Sequence, residues 1–123
     1  MAIPSTAVAF GQPMDPQEEL DFQIDVAGLL EVGEDVASSG WTLAVLAESA
    51  ALGLTIMTGS GRDPSFDIVT DKLRFWLKID IAFQTNAAWD GAGTSLGLVL
   101  TATTNSVPAR KRQRTFTVTV VQQ

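Results

Sequence analysis

The segment Leu73-Arg74-Phe75-Trp76-Leu77-Lys78-Ile79-Asp80-Ile81-Ala82-Phe83 carries the clearest alternation in the chain. Leu73 and every second residue after it, as far as Phe83, are large and apolar. A repeat of two residues places these side chains on one face of a β-strand, whereas a helix repeats every 3.6 residues. The segment therefore predicts a strand with one face in a core. Trp76 and Ala82 fall on the opposite face, which indicates that this face is partly covered too.

The same pattern continues on both sides of this segment. Leu20 to Val26 alternates apolar residues with Asp and Gln, and Phe116 to Val120 alternates with Thr. Turn residues separate such runs, and no segment sustains a helical repeat. Further strands are predicted at 36–46, 54–56, 66–69 and 96–104, with a helical turn or loop at 48–53, a loop at 86–94 and a turn at 105–113. About seven short strands predict an all-β fold, an antiparallel immunoglobulin-like β-sandwich, with a small barrel as the alternative.

The prolines and glycine of the first 16 residues set them apart from the rest. Pro4, Gly11, Pro13 and Pro16 disfavour regular pairing, because proline has no amide hydrogen and a fixed φ. We therefore expect an extended N-terminal arm at 1–16 and one β-sandwich domain at 17–123. Such an arm either frays or docks on a neighbour, which makes Phe10 a candidate contact. The Thr-rich strands would offer sheet edges to which an arm could add as an extra strand.

The composition excludes most enzyme chemistry. The 123 residues are 46% hydrophobic and include no His, no Cys and no Tyr. Without His or Cys, neither a Ser-His-Asp triad nor a Cys-His pair can be built, and no disulfide can form. We therefore expect no catalytic residues and no cofactor. The N-terminus lacks a signal peptide and the chain lacks a transmembrane stretch, so the protein is expected to be soluble and made in a cytoplasm.

Charge is distributed unevenly along the chain. The net charge is −6, yet residues 1–61 hold nine acidic and no basic residues, and residues 62–123 hold eight basic and five acidic ones. An acidic protein is not expected to bind nucleic acid or an anionic membrane. Separated signs can instead serve contacts between copies or with a partner. The candidate contact residues are basic Arg110, Lys111, Arg112 and Arg114, and acidic Asp15, Glu18 and Glu19.

The basic run at 110–114 could be a nucleic-acid patch, and two other interpretations of it stay open. It is either a hairpin turn whose side chains remain in water, or a surface that meets the acidic 15–35 region of a neighbouring copy. The carboxylate pairs Glu18/Glu19, Glu34/Asp35 and Asp21/Asp25 are expected to be solvated rather than catalytic. Calcium could be held by Asp63, Asp67 and Asp71, or by Asp90 with Asn86. Because neither set has EF-hand spacing, no metal site is expected.

Two tryptophans have different expected roles. Trp41 is expected in the core, because immunoglobulin-like domains commonly bury a Trp between their sheets. Trp89 lies in a loop beside Gly91, where large aromatic residues often anchor contacts. The sequence supports a contact role and a core role for Trp89 about equally.

Several short motifs follow one another in order along the chain. Asp15-Pro16 opens an acidic run that ends at Asp25 and is followed by Leu29-Leu30. Later motifs are Gly33-Glu34-Asp35-Val36-Ala37-Ser38-Ser39-Gly40-Trp41, Trp76-Leu77, Gly93-Thr94 with Leu98-Val99-Leu100-Thr101, and the basic run followed by Thr115-Phe116-Thr117-Val118-Thr119-Val120. This order, over about 15–121, resembles the small immunoglobulin-like proteins of tailed bacteriophages called fiber-tail adaptors. The chain departs from that family at Glu34, which separates Gly33 from Asp35, and in a longer insert between Leu77 and Gly93.

The resemblance implies a function for the chain. It implies a structural virion protein, made in the bacterial host cytoplasm, that binds other proteins of the tail, baseplate or fibre, present as a homo-oligomer or in several copies of a symmetric assembly. A capsid decoration protein on the head surface is the alternative, because an N-terminal arm could lie on a shell. An enzyme or sugar-binding module is the third and least supported possibility, since His and Tyr are missing.

Overall fold

The computed structural model describes residue 3 and residues 7–30 and 34–123. Strands dominate the described residues, and the fold is all-β. Regular helix is limited to α1 (Ala47–Ala50) and three short 3-10 helices (Val26–Leu29, Ile81–Phe83 and Ala87–Trp89). None of the helices in these ranges is long and apolar enough to cross a membrane. The strands are β1 (Val8–Ala9), β2 (Leu20–Asp25), β3 (Val36–Val45), β4 (Leu54–Ile56), β5 (Ser65–Asp67), β6 (Lys72–Ile79), β7 (Thr94–Thr104) and β8 (Lys111–Val120).

These eight strands form two sheets. The first has the order β1-β8-β7-β3, and the second has the order β2-β6-β4, with β5 also paired to β6. β4 and β5 lie along the same side of β6, because β4 pairs with its last three residues and β5 with its first three. The second sheet therefore has one edge made of two short strands with a loop at 57–64 between them.

One hydrophobic core joins the inner faces of both sheets. The alternation predicted for β2, β6 and β8 is confirmed, because their apolar residues are buried while the residues between them in β2 are exposed. Aromatic rings bridge the two sheets: the centroid of Phe10 is 5.0 Å from Phe22 and 5.7 Å from Phe116. Core residues of the strands are Phe22, Ile24, Val36, Leu54, Leu73, Phe75, Leu77, Ile79, Leu96, Leu98, Leu100, Ala102, Phe116, Val118 and Val120.

Residues 8–14 belong to the first sheet. β1 runs parallel to β8, with Val8 opposite Phe116. Further along, the amide of Met14 donates to the carbonyl of Thr119 at 2.9 Å, and the Met14 side chain is fully buried. The sheet is therefore mixed, and the prediction of a wholly antiparallel fold is wrong at this edge.

The predicted arm differs from the observed segment in two further ways. Met14, which falls within the predicted arm, lies in the core. The ring of Phe10, predicted as a contact for a neighbour, packs among Phe22, Phe75 and Phe116 of its own chain. Residues 1, 2 and 4–6 of the predicted arm lie outside the described residues.

The long predicted strand at 73–83 ends earlier than its alternation suggests. β6 stops at Ile79, where the amide of Asp80 donates to the carbonyl of Gly53 at 2.8 Å and the chain turns into a 3-10 helix. As a result Ile81 is 81% exposed, although it continues the apolar parity. The predicted strand at 66–69 is likewise shorter, because β5 ends at Asp67.

The structure decides between the two expected roles of Trp89 and places Trp41 less deeply than expected. Trp89 is fully buried, and its indole Nε1 donates to the carbonyl of Phe83 at 2.7 Å. It is a core residue, so the role of an exposed contact is wrong for it. Trp41 lies on the edge strand β3 and is half-buried against the core.

Candidate protein-binding site

Three connections between strands meet at one end of the molecule, which we call the loop end. They are the described parts of the β2–β3 connection (26–30 and 34–35), the β5–β6 turn (68–71) and the β7–β8 turn (105–110). They meet because β2 and β7 finish at this end, while β6 and β8 begin there. The loop end is therefore built from both sheets.

Hydrogen bonds tie the three connections to one another. The amide of Asp35 donates to Oδ1 of Asn105 at 3.0 Å, and the amide of Asn105 donates back to the carbonyl of Asp35 at 2.8 Å. The amide of Val26 donates to the carbonyl of Asp71 at 2.8 Å. These bonds hold the loop end in one arrangement before any partner arrives.

Each turn is also braced internally. In the β5–β6 turn, Oδ1 of Asp67 accepts the amides of Val69 at 2.8 Å and Thr70 at 3.4 Å. The bond from Val69 is the main reason that the pKa of Asp67 is lowered from its ordinary value. In the β7–β8 turn, the Thr104 hydroxyl accepts the amide of Arg110 at 2.9 Å. Both turns therefore present their side chains from a fixed backbone.

The braced turns expose large apolar side chains. Val107 is 98% exposed, Val69 86% and Ile68 60%. Beside them is a cleft of about 420 Å³ lined by Asp35, Val36, Ala37, Ile68 and Asn105. Exposed apolar groups gathered in one place usually mark a contact surface, and a rigid one loses little entropy on binding. The chemistry available here is hydrophobic docking with a polar rim.

The basic run begins in the β7–β8 turn of the loop end, but fewer of its side chains are exposed and unpaired than expected. Its turn is shorter than predicted, because Lys111 already starts β8. Nε of Arg110 lies 3.5 Å from Oε2 of Glu34, a carboxylate that is only 8% exposed. Lys111 remains exposed. The basic surface offered to a neighbour is thus reduced by pairing within the chain.

The two later arginines lie on the inner face of the first sheet. Arg112 is opposite Ala102 and Arg114 opposite Leu100, and both of these partners are fully buried. Arg112 and Arg114 are accordingly half-buried, and Nε of Arg114 is a buried donor that finds no acceptor among the described residues. The prediction that their side chains stay in water is therefore wrong.

The acidic candidates lie at the opposite end of the molecule. Oδ2 of Asp15 accepts the amide of Gln123 at 2.8 Å, and Oε1 of Glu18 accepts the amide of Asp15 at 2.7 Å. Glu19 forms a salt bridge with Arg62. The basic run occupies the start of β8, so six residues, or roughly 20 Å of extended chain, separate Arg114 from Val120 at the end beside these acids. Asp15, Glu18 and Glu19 could therefore meet the basic run only on a neighbouring copy.

Three of the side chains considered for metal binding, Asp63, Asp67 and Asn86, accept backbone amides. Oδ1 of Asp63 accepts the amide of Gly59 at 2.8 Å, and Oδ1 of Asn86 accepts that of Ala88 at 2.8 Å. Within residues 7–30 and 34–123, no three acidic side chains come together as a metal site. Sequence reasoning missed the exposed Ile68, Val69 and Val107. The only signal was their position beside turn residues, such as Val107 before Pro108.

Comparisons with known proteins found no match among family models, curated proteins or solved structures.

Proposed function

We propose that this chain is a structural protein of a tailed-bacteriophage particle that binds other virion proteins, as an adaptor of the tail, baseplate or fibre region. The observation that carries the binding role is the loop end, where braced turns expose Ile68, Val69 and Val107 beside a cleft. Apolar side chains on a rigid frame suit a protein partner with a matching pocket.

The strand order supports an immunoglobulin-like fold within this proposal. If β2, β6 and β4 are strands B, E and D, and β8, β7 and β3 are strands G, F and C, both sheets have the order of that fold. Counting β4 and β5 as one interrupted strand gives seven strands together with β1. In that fold, two of the connections at the loop end, B–C and F–G, are among those that bind ligands in variable domains.

The family motifs fall at matching places in the strands. Trp76-Leu77 lies inside β6, Gly93-Thr94 enters β7, and Thr115–Val120 forms the second half of β8. A capsid decoration role depends on an arm that is free to lie on a shell. Residues 8–14 are bound to β8 of the same chain, so the structure gives more support to the adaptor role.

The location and copy number of the chain in an intact particle test the proposed function. We expect cryo-electron microscopy to place the chain in the tail region, and quantitative mass spectrometry to count six or twelve copies, set by tail symmetry. Hundreds of copies on the head would contradict the adaptor role and support the capsid decoration role. Absence from purified particles would contradict both roles.

A pair of variants tests whether the loop end makes the contact. Val107→Asp should lower incorporation into particles at least about ten-fold, because a charge at the centre of an apolar interface is desolvated without a partner. Ile81→Asp is the matched control, since Ile81 is 81% exposed but lies past the other end of β6. Equal incorporation of both variants would show that the contact lies elsewhere.

A further inference from the structure

β3 forms an open edge of the first sheet. Within the described part of the chain it stands last in the order β1-β8-β7-β3, so only β7 pairs with it. Its regular part is Trp41–Val45, because a bulge between Val36 and Trp41 interrupts the register with β7. An open strand edge presents amides and carbonyls that can pair with another strand.

The register with β7 shows which groups of β3 face the open side. The amide of Leu46 donates to the carbonyl of Gly97 at 3.0 Å, and these two residues continue the β3–β7 register. Because hydrogen-bonded pairs alternate in an antiparallel ladder, Ala44 and Thr42 also bond to β7. The amides and carbonyls of Leu43 and Val45 therefore point outward.

The side chains of this edge are suited to a strand like itself. No charged residue occurs between Asp35 and Glu48, although the whole chain carries a net charge of −6. Leu43 and Val45 are half-buried on the inner face, and Thr42 and Ala44 are exposed on the outer face. A second copy of this acidic protein can approach an uncharged strand without like-charge repulsion along the edge.

We propose that two copies of this chain pair through β3, antiparallel and around a two-fold axis at Leu43. Leu43 then hydrogen-bonds with its own equivalent, and Thr42 of one copy lies opposite Ala44 of the other. This register keeps inner-face residues on one side and joins two four-stranded sheets into one of eight strands. The pairing needs only the chain itself, so it does not depend on the proposed function or on the loop end.

The dimer should be weak and should depend on protein concentration. Pairing of two edge strands covers less than the roughly 1,200 Å² at which stable interfaces begin. Sedimentation velocity between about 10 µM and about 1 mM should therefore show a reversible monomer–dimer equilibrium. A wild-type chain that stays monomeric over this whole range would overturn the proposal.

Two double variants test the register. T42K/A44K places lysines opposite each other across the axis, and T42K/A44E places each lysine opposite a glutamate. We expect T42K/A44K to weaken dimerisation at least about ten-fold and T42K/A44E to keep or strengthen it. T42K/A44K makes the net charge less negative, from −6 to −4, and this change alone would favour association. T42K/A44E leaves the net charge at −6. The same response in both variants would contradict the proposed register.

A disulfide cross-link between two copies tests the pairing of β3 without a change in charge. The chain has no cysteine, so Leu43→Cys introduces a single thiol. Facing residues of a hydrogen-bonded pair have Cα atoms about 5.5 Å apart, within the range of a disulfide. Oxidation should link Leu43→Cys into dimers and leave Ser95→Cys monomeric, because Ser95 is exposed on an interior strand. Equal yields from both would overturn the proposal, and circular dichroism verifies that each variant is folded.

Discussion

Gly93 occupies the most restricted backbone position of the β6–β7 connection. Its φ is +77°, and a Cβ there would lie 2.3 Å from the carbonyl oxygen of Val120. Gly91 also has a positive φ, of +64°, but a Cβ there would meet nothing within 4 Å. Substitution of Gly91 would therefore introduce backbone strain alone, whereas substitution of Gly93 would add a clash with the backbone to that strain.

We predict that Gly93→Ala lowers the free energy of unfolding by more than about 2 kcal/mol, whereas Gly91→Ala lowers it by about 1 kcal/mol. The difference arises because the Val120 carbonyl belongs to the core strand β8 and cannot move aside cheaply. Urea unfolding followed by tryptophan fluorescence measures both values. Similar losses in the two variants would show that β8 yields to the added methyl group.

Trp89 shows how a single residue can satisfy two sequence patterns. Its Gly-rich surroundings are those of an exposed loop, yet its ring fills the core. The indole amide reaches the carbonyl of Phe83, which a buried Trp requires. Whether a loop folds back onto the core depends on contacts that are distant in sequence, and local composition does not encode them.

At the scale of elements, the β5–β6 turn is held by one carboxylate. The pKa of Asp67 is lowered mainly because its carboxylate accepts the amide of Val69. A lowered pKa in the folded state means that the ionised group stabilises the turn above its ordinary pKa, and that this stabilisation is lost as pH falls through the lower, folded-state value. Acid should therefore loosen the turn that displays Ile68 and Val69.

We predict that the Asp67 carboxyl, followed by NMR, titrates below its ordinary range. The Val69 amide should lose protection against hydrogen exchange, measured relative to its intrinsic rate at each pH, at pH values below that titration. Asp67→Asn is the matched control, because its side-chain oxygen can still accept the amide but does not titrate. The protection of the Val69 amide in this variant should not change across the same acid range. Titration of Asp67 at or above its ordinary value would contradict the prediction.

Long alternating runs were enough to predict β2, β6 and β8, because a strand with one buried face needs that pattern and few other structures do. The pattern could not show where β6 ends. Ile81 keeps the parity of Leu77 and Ile79, but the chain leaves the sheet at Asp80. β1 was predicted only in general terms, as an arm that could add to a Thr-rich strand. Its bounds were missed because its two residues pair with β8, more than a hundred positions away, and such a short strand carries no periodicity of its own.

The candidate site was the part least accessible to sequence. The basic run was found from its charge, but three of its four cations are paired or half-buried once β8 forms. Apart from their position beside turn residues, the exposed Val107 and Val69 differ in no local way from valines in a core. Only the assembled turns reveal that their side chains point into solvent.

On the scale of the whole molecule, the described N-terminal segment and both sheets share one core. Met14 is fully buried, and the ring of Phe10 contacts rings from both sheets. An arm that only attached the protein to a neighbour would leave the isolated fold unchanged when removed. Removal of a segment that completes the core would instead destabilise the whole fold, because the core would lose side chains that both sheets contact.

We predict that removal of residues 1–14 lowers the free energy of unfolding by about 4 kcal/mol or more, since it deletes one buried Met and one half-buried Phe and uncovers the β8 edge. Removal of residues 1–7 is the control, because it keeps β1, Phe10 and Met14, and it should have a smaller effect. Urea unfolding followed by circular dichroism and by tryptophan fluorescence should give one coincident transition in both variants, shifted strongly only in the shorter chain. Equal stability of the two variants, or separate transitions by the two probes, would mean that residues 8–14 are an attachment and not part of the core.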